Sequence, residues 1–231
     1  MNLKKFQKTI LILLLYTLLF FIIPINVKAS NYNYNAANKY EIVIEIGEKR
    51  LFLVDKNTKQ VIKSYSIACG KVDTPSPLGT WTIISKAEWS GGFGTRWLGL
   101  NVPWGLYGIH GTNRPGSISS AASHGCIRMF NNDIEDLYKY VNVGTIVVIQ
   151  CELYGAYNGG YRYLKPGDRG ADVLEVQRLL KAKGYYSGSI DGVYGDGMKA
   201  GIIQFREENN LETSHDIDYK FYKKIGMDLF D

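Results

Sequence analysis

The sequence predicts two folded regions of different class. Residues 40–151 are expected to form a mainly β domain of sandwich or barrel type with one main helix, and residues 163–231 a small all-α domain of three helices. The first region contains short runs of β-branched and aromatic residues separated by turn residues, which is typical of strands. In the second region apolar residues recur three and four positions apart, which is typical of helices. Residues 152–162, rich in glycine and tyrosine, are the predicted linker.

The first 29 residues have a different composition from the rest of the chain. Three early lysines precede an apolar run from Ile10 to Ile23, and small residues stand at Val27 and Ala29 before Ser30. This pattern predicts an export signal. An uncleaved membrane anchor is the alternative, although the run is short for a span of about 20 residues. In both cases the remainder of the chain, starting with a polar spacer at residues 30–39, is expected to work outside the cytoplasm.

Charge gives little support to a nucleic-acid partner. The formal net charge is +5, but residues 1–29 hold four lysines and no acidic residue, so the chain without this segment carries +1. A nucleic-acid-binding protein usually presents a basic face or stripe. We therefore expect no nucleic-acid partner, and contact with a membrane only through the N-terminal segment.

The three cysteines leave at least one unpaired thiol in an exported protein. They are Cys69, Cys126 and Cys151. A disulfide between Cys69 and Cys151 would leave Cys126 free. We favour two buried thiols instead, because both residues lie at the ends of apolar strand-like runs and nothing in the sequence fixes their separation.

The first three predicted strands form an antiparallel meander. They cover residues 40–46, 50–54 and 60–68. Gly47 to Lys49 provides a hairpin turn, and Asp55 to Thr58 a second turn.

A proline-rich turn and a long loop follow. Pro75 and Pro77 exclude a central strand at this point, and Gly79 opens a further strand at residues 80–84. Residues 85–106 are rich in glycine and contain three tryptophans, so we expect a long loop that either packs in the interior or faces a substrate.

The end of the first domain shows one clear helix and one strand. Residues 131–140 have acidic residues in the first turn and an apolar face, and asparagine or aspartate is available to cap the start. Gly144 ends this element, and residues 145–150 form a continuous apolar strand. In the second domain, helices are predicted at residues 171–183 and 196–209, with a third between residues 217 and 225.

The residues that carry chemistry are concentrated between positions 107 and 130. Cys126 is the candidate nucleophile, and either His110 or His124 removes its proton or holds an imidazolium beside it. A thiol needs such help because only the thiolate is strongly nucleophilic. The amides of Gly125 and Cys126 are candidates for stabilising an oxyanion.

Several other interpretations remain open from the residues alone. His110, His124 and Cys126 have the chemistry of three zinc ligands, although their spacing is not that of a usual zinc motif. A structural pair of cysteine and histidine is another reading, and His124 is the histidine more readily explained by packing. Arg128 either holds a substrate carboxylate or pairs with Asp133.

Residues 40–151 closely resemble the YkuD-type L,D-transpeptidase catalytic domain. Four motifs match in order, namely residues 74–79, 94–97, 107–112 and 123–129. Residues 163–227 resemble a small three-helix peptidoglycan-binding module, through residues 164–167, 173–180, 191–195 and 204–205.

The resemblance implies the activity and the roles of the site residues. Cys126 would attack the carbonyl between the diamino acid at the third stem position and the terminal D-alanine of a peptidoglycan tetrapeptide. His110 would be the base, oriented by the carbonyl of Gly111. An amine of a neighbouring stem would resolve the thioester into a 3→3 cross-link, whereas water would make the enzyme an L,D-carboxypeptidase.

The remaining expectations follow from the same resemblance. Ser123, His124, Gly125 and Arg128 are expected to line the site or bind substrate. We expect peptidoglycan as the partner of both domains, no cofactor, no metal, and an address at the bacterial cell wall. The contrasting hypothesis is a non-catalytic wall-binding protein.

Overall fold

A computed structural model of the chain describes residues 38–151 and 162–227. The predicted export segment at residues 1–29, most of the spacer and most of the linker lie outside the described residues. Among the described residues, no helix is long and apolar enough to cross a membrane.

The first domain is a mainly β structure with one main helix, as predicted. Its strands, in chain order, are β1 (Tyr40–Glu45), β2 (Arg50–Asp55), β3 (Val61–Gly70), β4 (Gly79–Glu88), β5 (Arg96–Leu100), β6 (Tyr107–His110), β7 (Ala121–Ser123), β8 (Ile127–Met129) and β9 (Ile146–Gln150). Helix α1 (Asn131–Tyr138) lies between β8 and β9.

The strands form one sheet that closes on itself. Their order is β2, β1, β9, β4, β5, β6, β8, β3 and β7. A further pairing of β2 with β3 closes the first eight of these strands into a ring, and β7 is attached to β3. Closure leaves no open edge among the strands of the ring, which removes the unpaired backbone groups of an open sheet. The predicted meander is confirmed, because β2 pairs antiparallel with both β1 and β3.

Alternating burial explains why the sheet packs on one face. In β1 the side chains of Ile42 and Ile44 are fully buried, and the neighbouring β9 contributes Val147 and Ile149 to the same core. Successive side chains of a strand point to opposite faces, so one face fills the core. Ile134 and Leu137 of α1 belong to the same core.

The predicted long loop at residues 85–106 is wrong in part. Strand β4 continues to Glu88, and β5 pairs with it antiparallel. The close approach depends on Gly99, where an added Cβ would lie 2.3 Å from Oγ of Ser85. The glycine and tryptophan content of this segment indicated a loop. Gly99, however, allows β5 to approach β4 and does not form a turn.

The second domain has three helices around its own core. They are α2 (Ala171–Ala182), α3 (Asp196–Glu208) and α4 (Tyr219–Ile225). The core includes Val176, Phe205 and Phe221. This part of the fold prediction is confirmed as well.

The helical domain packs against the β domain. Side chains of Ala171, Leu174 and Val193 contact the core of the β domain and not the core of the helices. At Gly192 the backbone approaches Trp104 so closely that an added Cβ would lie 2.3 Å from the indole. The two domains therefore share an interface, which the sequence did not indicate.

Candidate active site

Strand pairing brings the two predicted reactive residues to neighbouring strands. β6 and β8 are parallel, with Ile109 opposite Ile127 and His110 opposite Arg128. One position earlier in this register, Gly108 lies beside Cys126, and its main chain hydrogen-bonds to the thiol. Two segments sixteen positions apart in the sequence thus become neighbours through this strand pairing.

The orientation of His110 fixes which ring nitrogen is basic. Its side chain is only 3% exposed, and Nδ1 lies 2.5 Å from the carbonyl oxygen of Gly111. Because a carbonyl oxygen can only accept a hydrogen bond, Nδ1 carries the proton and donates. The other nitrogen, Nε2, then has the free electron pair that a base needs.

Aromatic rings enclose His110. Trp97 stacks on the imidazole with ring centroids 5.7 Å apart, and Phe93 approaches edge-on at 4.9 Å. Burial lowers the pKa of His110, and the nearby Arg128 guanidinium lowers it further, while the hydrogen bond with Gly111 opposes both. The imidazole is therefore neutral near neutral pH and able to accept a proton.

The thiol of Cys126 is also neutral at rest. Its Sγ atom lies 4.0 Å from the carbonyl oxygen of Leu106. Burial raises its pKa, whereas the hydrogen bond with Gly108 and the charge of Arg128 act in the opposite direction. A neutral thiol together with a neutral imidazole favours proton transfer during attack over a preformed ion pair.

Ser123 holds the turn that carries the cysteine. Its hydroxyl donates to the carbonyl oxygen of Cys126 at 2.6 Å and accepts from the amide of Gly125 at 3.0 Å. Thr74 donates to the carbonyl oxygen of Ser123 at 3.2 Å, which ties the turn to the proline-rich segment. Since the Gly125 amide is engaged within the turn, the Cys126 amide is the better of the two oxyanion candidates.

Gly125 is required by the backbone of this turn. Its φ is +112°, a conformation that favours glycine. A Cβ at this position would lie 2.5 Å from Cε1 of Tyr107 and 3.0 Å from the carbonyl oxygen of Pro75. The position therefore combines an unusual φ with a lack of space.

Asn131 is a site residue that the sequence interpretation missed. The predicted cap by asparagine or aspartate at the start of α1 is wrong, because Phe130 occupies the cap position and no side chain caps the helix. The Oδ1 atom of Asn131 instead accepts from the amide of Thr112 at 3.1 Å. It also fills the space beside Gly94 and Gly111, where an added Cβ would lie 2.2 Å from it in each case. The adjacent pair of asparagines at the start of the helix gave no indication of this contact.

The remaining predicted site residues lie around this centre. Arg128 is half-buried next to His110, and none of the ion pairs among the described residues joins it to Asp133. His124 is exposed and lines a cavity next to the turn. Cys69 and Cys151 are buried and are not joined by a disulfide, in agreement with the favoured interpretation. Within residues 38–151 and 162–227, no group of three or more histidine, cysteine, aspartate or glutamate side chains could hold a metal ion.

Two family profiles match the chain. The profile described as the YkuD L,D-transpeptidase catalytic domain covers residues 39–149. The profile described as a putative peptidoglycan-binding domain covers residues 169–224. The two matches fall on the β domain and on the helical domain respectively.

Curated relatives match over about half of the chain. The putative L,D-transpeptidase YkuD of Bacillus subtilis is 47% identical over 111 residues, which are 48% of this chain and 65% of that protein. The putative L,D-transpeptidase YqjB of the same organism is 35% identical over 126 residues, covering 48% of this chain and 70% of that protein. The chain thus spans a little under two thirds of the length of YkuD.

Solved structures also match. The NMR structure of the catalytic domain of the Enterococcus faecium L,D-transpeptidase is 23% identical, with a TM-score of 0.42, and covers 49% of this chain and 98% of that chain. From its family profile and its similarity to YqjB, the chain belongs to the YkuD family of L,D-transpeptidases, followed by a region that matches the peptidoglycan-binding domain.

Proposed function

We propose that the chain is a peptidoglycan L,D-transpeptidase that forms 3→3 cross-links through a thioester on Cys126. The observation that carries the proposal is the pairing of β6 with β8, which brings the segment of Cys126 alongside the strand of a histidine whose Nδ1 donates to Gly111. Membership of the family supplies the substrate class, and the C-terminal match supports attachment to the same polymer.

The reaction divides into two acyl transfers. In the first, Nε2 of His110 takes the thiol proton while Sγ of Cys126 attacks the carbonyl between the diamino acid and the terminal D-alanine. The proton passes to the departing amine, and D-alanine leaves. In the second, an amine of a neighbouring stem loses a proton to His110 and attacks the thioester. The new amide forms, and the proton returns to the thiolate of Cys126.

The other site residues have supporting roles in this scheme. Gly111 orients His110, and Ser123 with Gly125 fixes the turn before the nucleophile. The amide of Cys126 is proposed to stabilise the oxyanion. Arg128 and His124 are proposed to bind substrate.

The test uses purified protein and muropeptides that bear tetrapeptide stems. Mass spectrometry should detect loss of D-alanine together with cross-linked dimers, and Cys126→Ala should abolish both. Trimming without dimers would point to water as the acceptor and thus to an L,D-carboxypeptidase. Identical results for the wild type and Cys126→Ala would contradict the proposal.

We also propose that the enzyme works outside the cytoplasm, at the cell wall. The support is the lysine-rich and apolar composition of residues 1–29 and the substrate class of the family. Sequencing the N-terminus of the protein recovered from the cell-wall fraction tests this proposal. A mature N-terminus at Ser30 would indicate cleavage of an export signal, and recovery of the protein from the cytoplasm alone would contradict the proposed location.

A further inference from the structure

A cavity of about 500 Å³ lies at the junction of the β domain and the helical domain. One wall belongs to the segment after β3 and to the active-site region, and includes Lys71, Tyr107 and His124. The helical domain supplies the opposite wall, including Arg162 and Arg169. Neither domain alone encloses this space.

Both walls are held by specific contacts. On the β side, the amide of Gly70 donates to the hydroxyl of Ser76 at 2.9 Å, which braces the segment between β3 and β4. Arg162, on the helical side, donates to both carboxylate oxygens of the buried Asp172, at 2.7 Å and 2.8 Å. It also donates to the carbonyl oxygen of Arg169 at 2.8 Å. These hydrogen bonds fix the position of both walls of the cavity.

The charges around the cavity favour an anion. The ion pair with Asp172 compensates the charge of Arg162. Lys71 and Arg169 are exposed cations in the lining, and Asp73 is the remaining acid. The lining side chains thus have a positive balance of two cations against one acid, and Asp191, outside the lining, interacts with Arg169. Guanidinium groups suit carboxylates in particular.

The cavity reaches the turn that carries the nucleophile. His124 lines it and precedes Cys126 by two residues. Tyr107 also lines it and lies directly against Gly125 of the nucleophile turn. A chain-like molecule in the cavity would therefore extend past His124 toward Cys126.

We infer that the cavity is a substrate subsite, in which Arg169 and Lys71 bind the carboxylates of a peptide stem whose reacting bond lies at Cys126. The inference rests on the proposed function and deepens it. The helical domain then acts as one wall of the substrate site in addition to any attachment to the polymer. The substrate class is an anionic peptide, and not the uncharged part of a glycan strand.

The experiment measures binding to the full chain without turnover. Cys126→Ala protein is titrated calorimetrically with a synthetic tetrapeptide stem, and with the same peptide after amidation of every carboxylate upstream of the bond to D-alanine. Adding Arg169→Gln or Lys71→Gln should weaken binding of the first peptide about threefold to tenfold. The same changes should leave binding of the amidated peptide unchanged.

The control is Arg178→Gln, which removes a positive charge from an exposed position of α2 that does not line the cavity. It should leave the binding of both peptides unchanged. Circular dichroism of each variant checks that the chain is folded. Equal binding of the two peptides, or equal weakening by Arg178→Gln, would overturn the inference. Binding of a peptide-free disaccharide that depends on Arg169 would also overturn it, because the site would then recognise the glycan.

Release of D-alanine by the protein with its cysteine intact separates this inference from the proposed function. An active enzyme whose tetrapeptide affinity is independent of Arg169 and Lys71 would overturn the subsite and leave the transpeptidase proposal in place. An inactive enzyme would contradict the proposed function, and the binding data would still decide whether the cavity takes anionic peptides.

Discussion

At the scale of single residues, the site depends on the protonation of one histidine and one cysteine. Burial lowers the pKa of His110 and raises the pKa of Cys126, so both groups are uncharged over a wide range around neutral pH. This state requires the base to be close at the moment of attack. The hydrogen bond from Nδ1 of His110 to Gly111 provides that orientation by keeping Nε2 unprotonated.

The pH dependence of the enzyme follows from these shifts. For D-alanine release, kcat/KM should decline on the acid side only below pH 6.5, because His110 must be neutral and its pKa lies below the ordinary value of 6.5. Alkylation of Cys126 by iodoacetamide, followed by peptide mapping, should still increase above pH 9.0, because the pKa of this thiol is raised above the ordinary 9.0.

Arg128→Gln is the informative variant for this prediction. The guanidinium lowers the pKa of both His110 and Cys126, so its removal should move both limbs of the pH profile to higher pH. A plateau of wild-type alkylation well below pH 9.0 would instead demonstrate a stable pair of thiolate and imidazolium, and would contradict the neutral resting state.

At the scale of elements, the short strands β6 and β8 and the start of α1 together hold the site. Asn131, the first residue of α1, contacts the segment after β6 through the amide of Thr112 and fills the space at Gly94 and Gly111. Gly111 is the residue whose carbonyl orients His110. A helix whose apolar side chains pack in the core thereby positions a polar side chain next to the site.

Replacement of Asn131 should affect both stability and catalysis. Asn131→Ala leaves the amide of the buried Thr112 without its acceptor, which costs about 1–3 kcal/mol of unfolding free energy. We expect a lower kcat for D-alanine release with a smaller change in KM, because the base is displaced while the substrate contacts remain. Thermal unfolding and steady-state kinetics measure the two effects.

Two variants distinguish positioning from a general loss of stability. Asn131→Asp keeps an acceptor oxygen at the same place and should restore most of kcat. Asn132→Ala changes an exposed neighbour and should alter the unfolding free energy by less than about 0.5 kcal/mol. If Asn131→Ala retained the wild-type kcat, the positioning role would be wrong.

At the scale of the whole molecule, the interface of the two domains decides whether the cavity exists. Leu174 of α2 packs on the core of the β domain and is absent from the core of the helical domain. Leu174 therefore stabilises the contact between the two domains more than it stabilises the helical domain itself. Gly192 serves the same interface, because it allows the backbone to lie against Trp104.

Leu174→Asp should separate the domains without unfolding either of them. Burying a carboxylate at an apolar interface is unfavourable, so the docked arrangement should be lost. Small-angle X-ray scattering should show a larger radius of gyration, and the affinity of Cys126→Ala protein for the tetrapeptide should fall at least as far as with Arg169→Gln.

The exposed position Arg178 provides the control for this change. Arg178→Asp introduces the same charge on the same helix and should leave the scattering profile unchanged. An unchanged radius of gyration for Leu174→Asp would show that Leu174 does not hold the domains together.

Local sequence signals were sufficient to predict the candidate reactive residues and the strongly patterned elements. Cys126 and His110 were recognisable because few residue types can supply a nucleophile and a base, and β1, β2 and α2 because their apolar residues recur at a regular local spacing. Such signals depend only on neighbours in the chain, so they can be read without the fold.

Only the tertiary structure decided how distant segments meet. Strands β5, β6 and β8 are short, and their existence depends on pairing partners elsewhere in the chain. The contact of Asn131 with Thr112 and the cavity between Lys71 and Arg169 likewise join segments with no shared local pattern. The free energy of these contacts is gained only when the sheet closes and the domains dock. That is the physical reason why composition and spacing predicted the reactive residues but not the surfaces that position them.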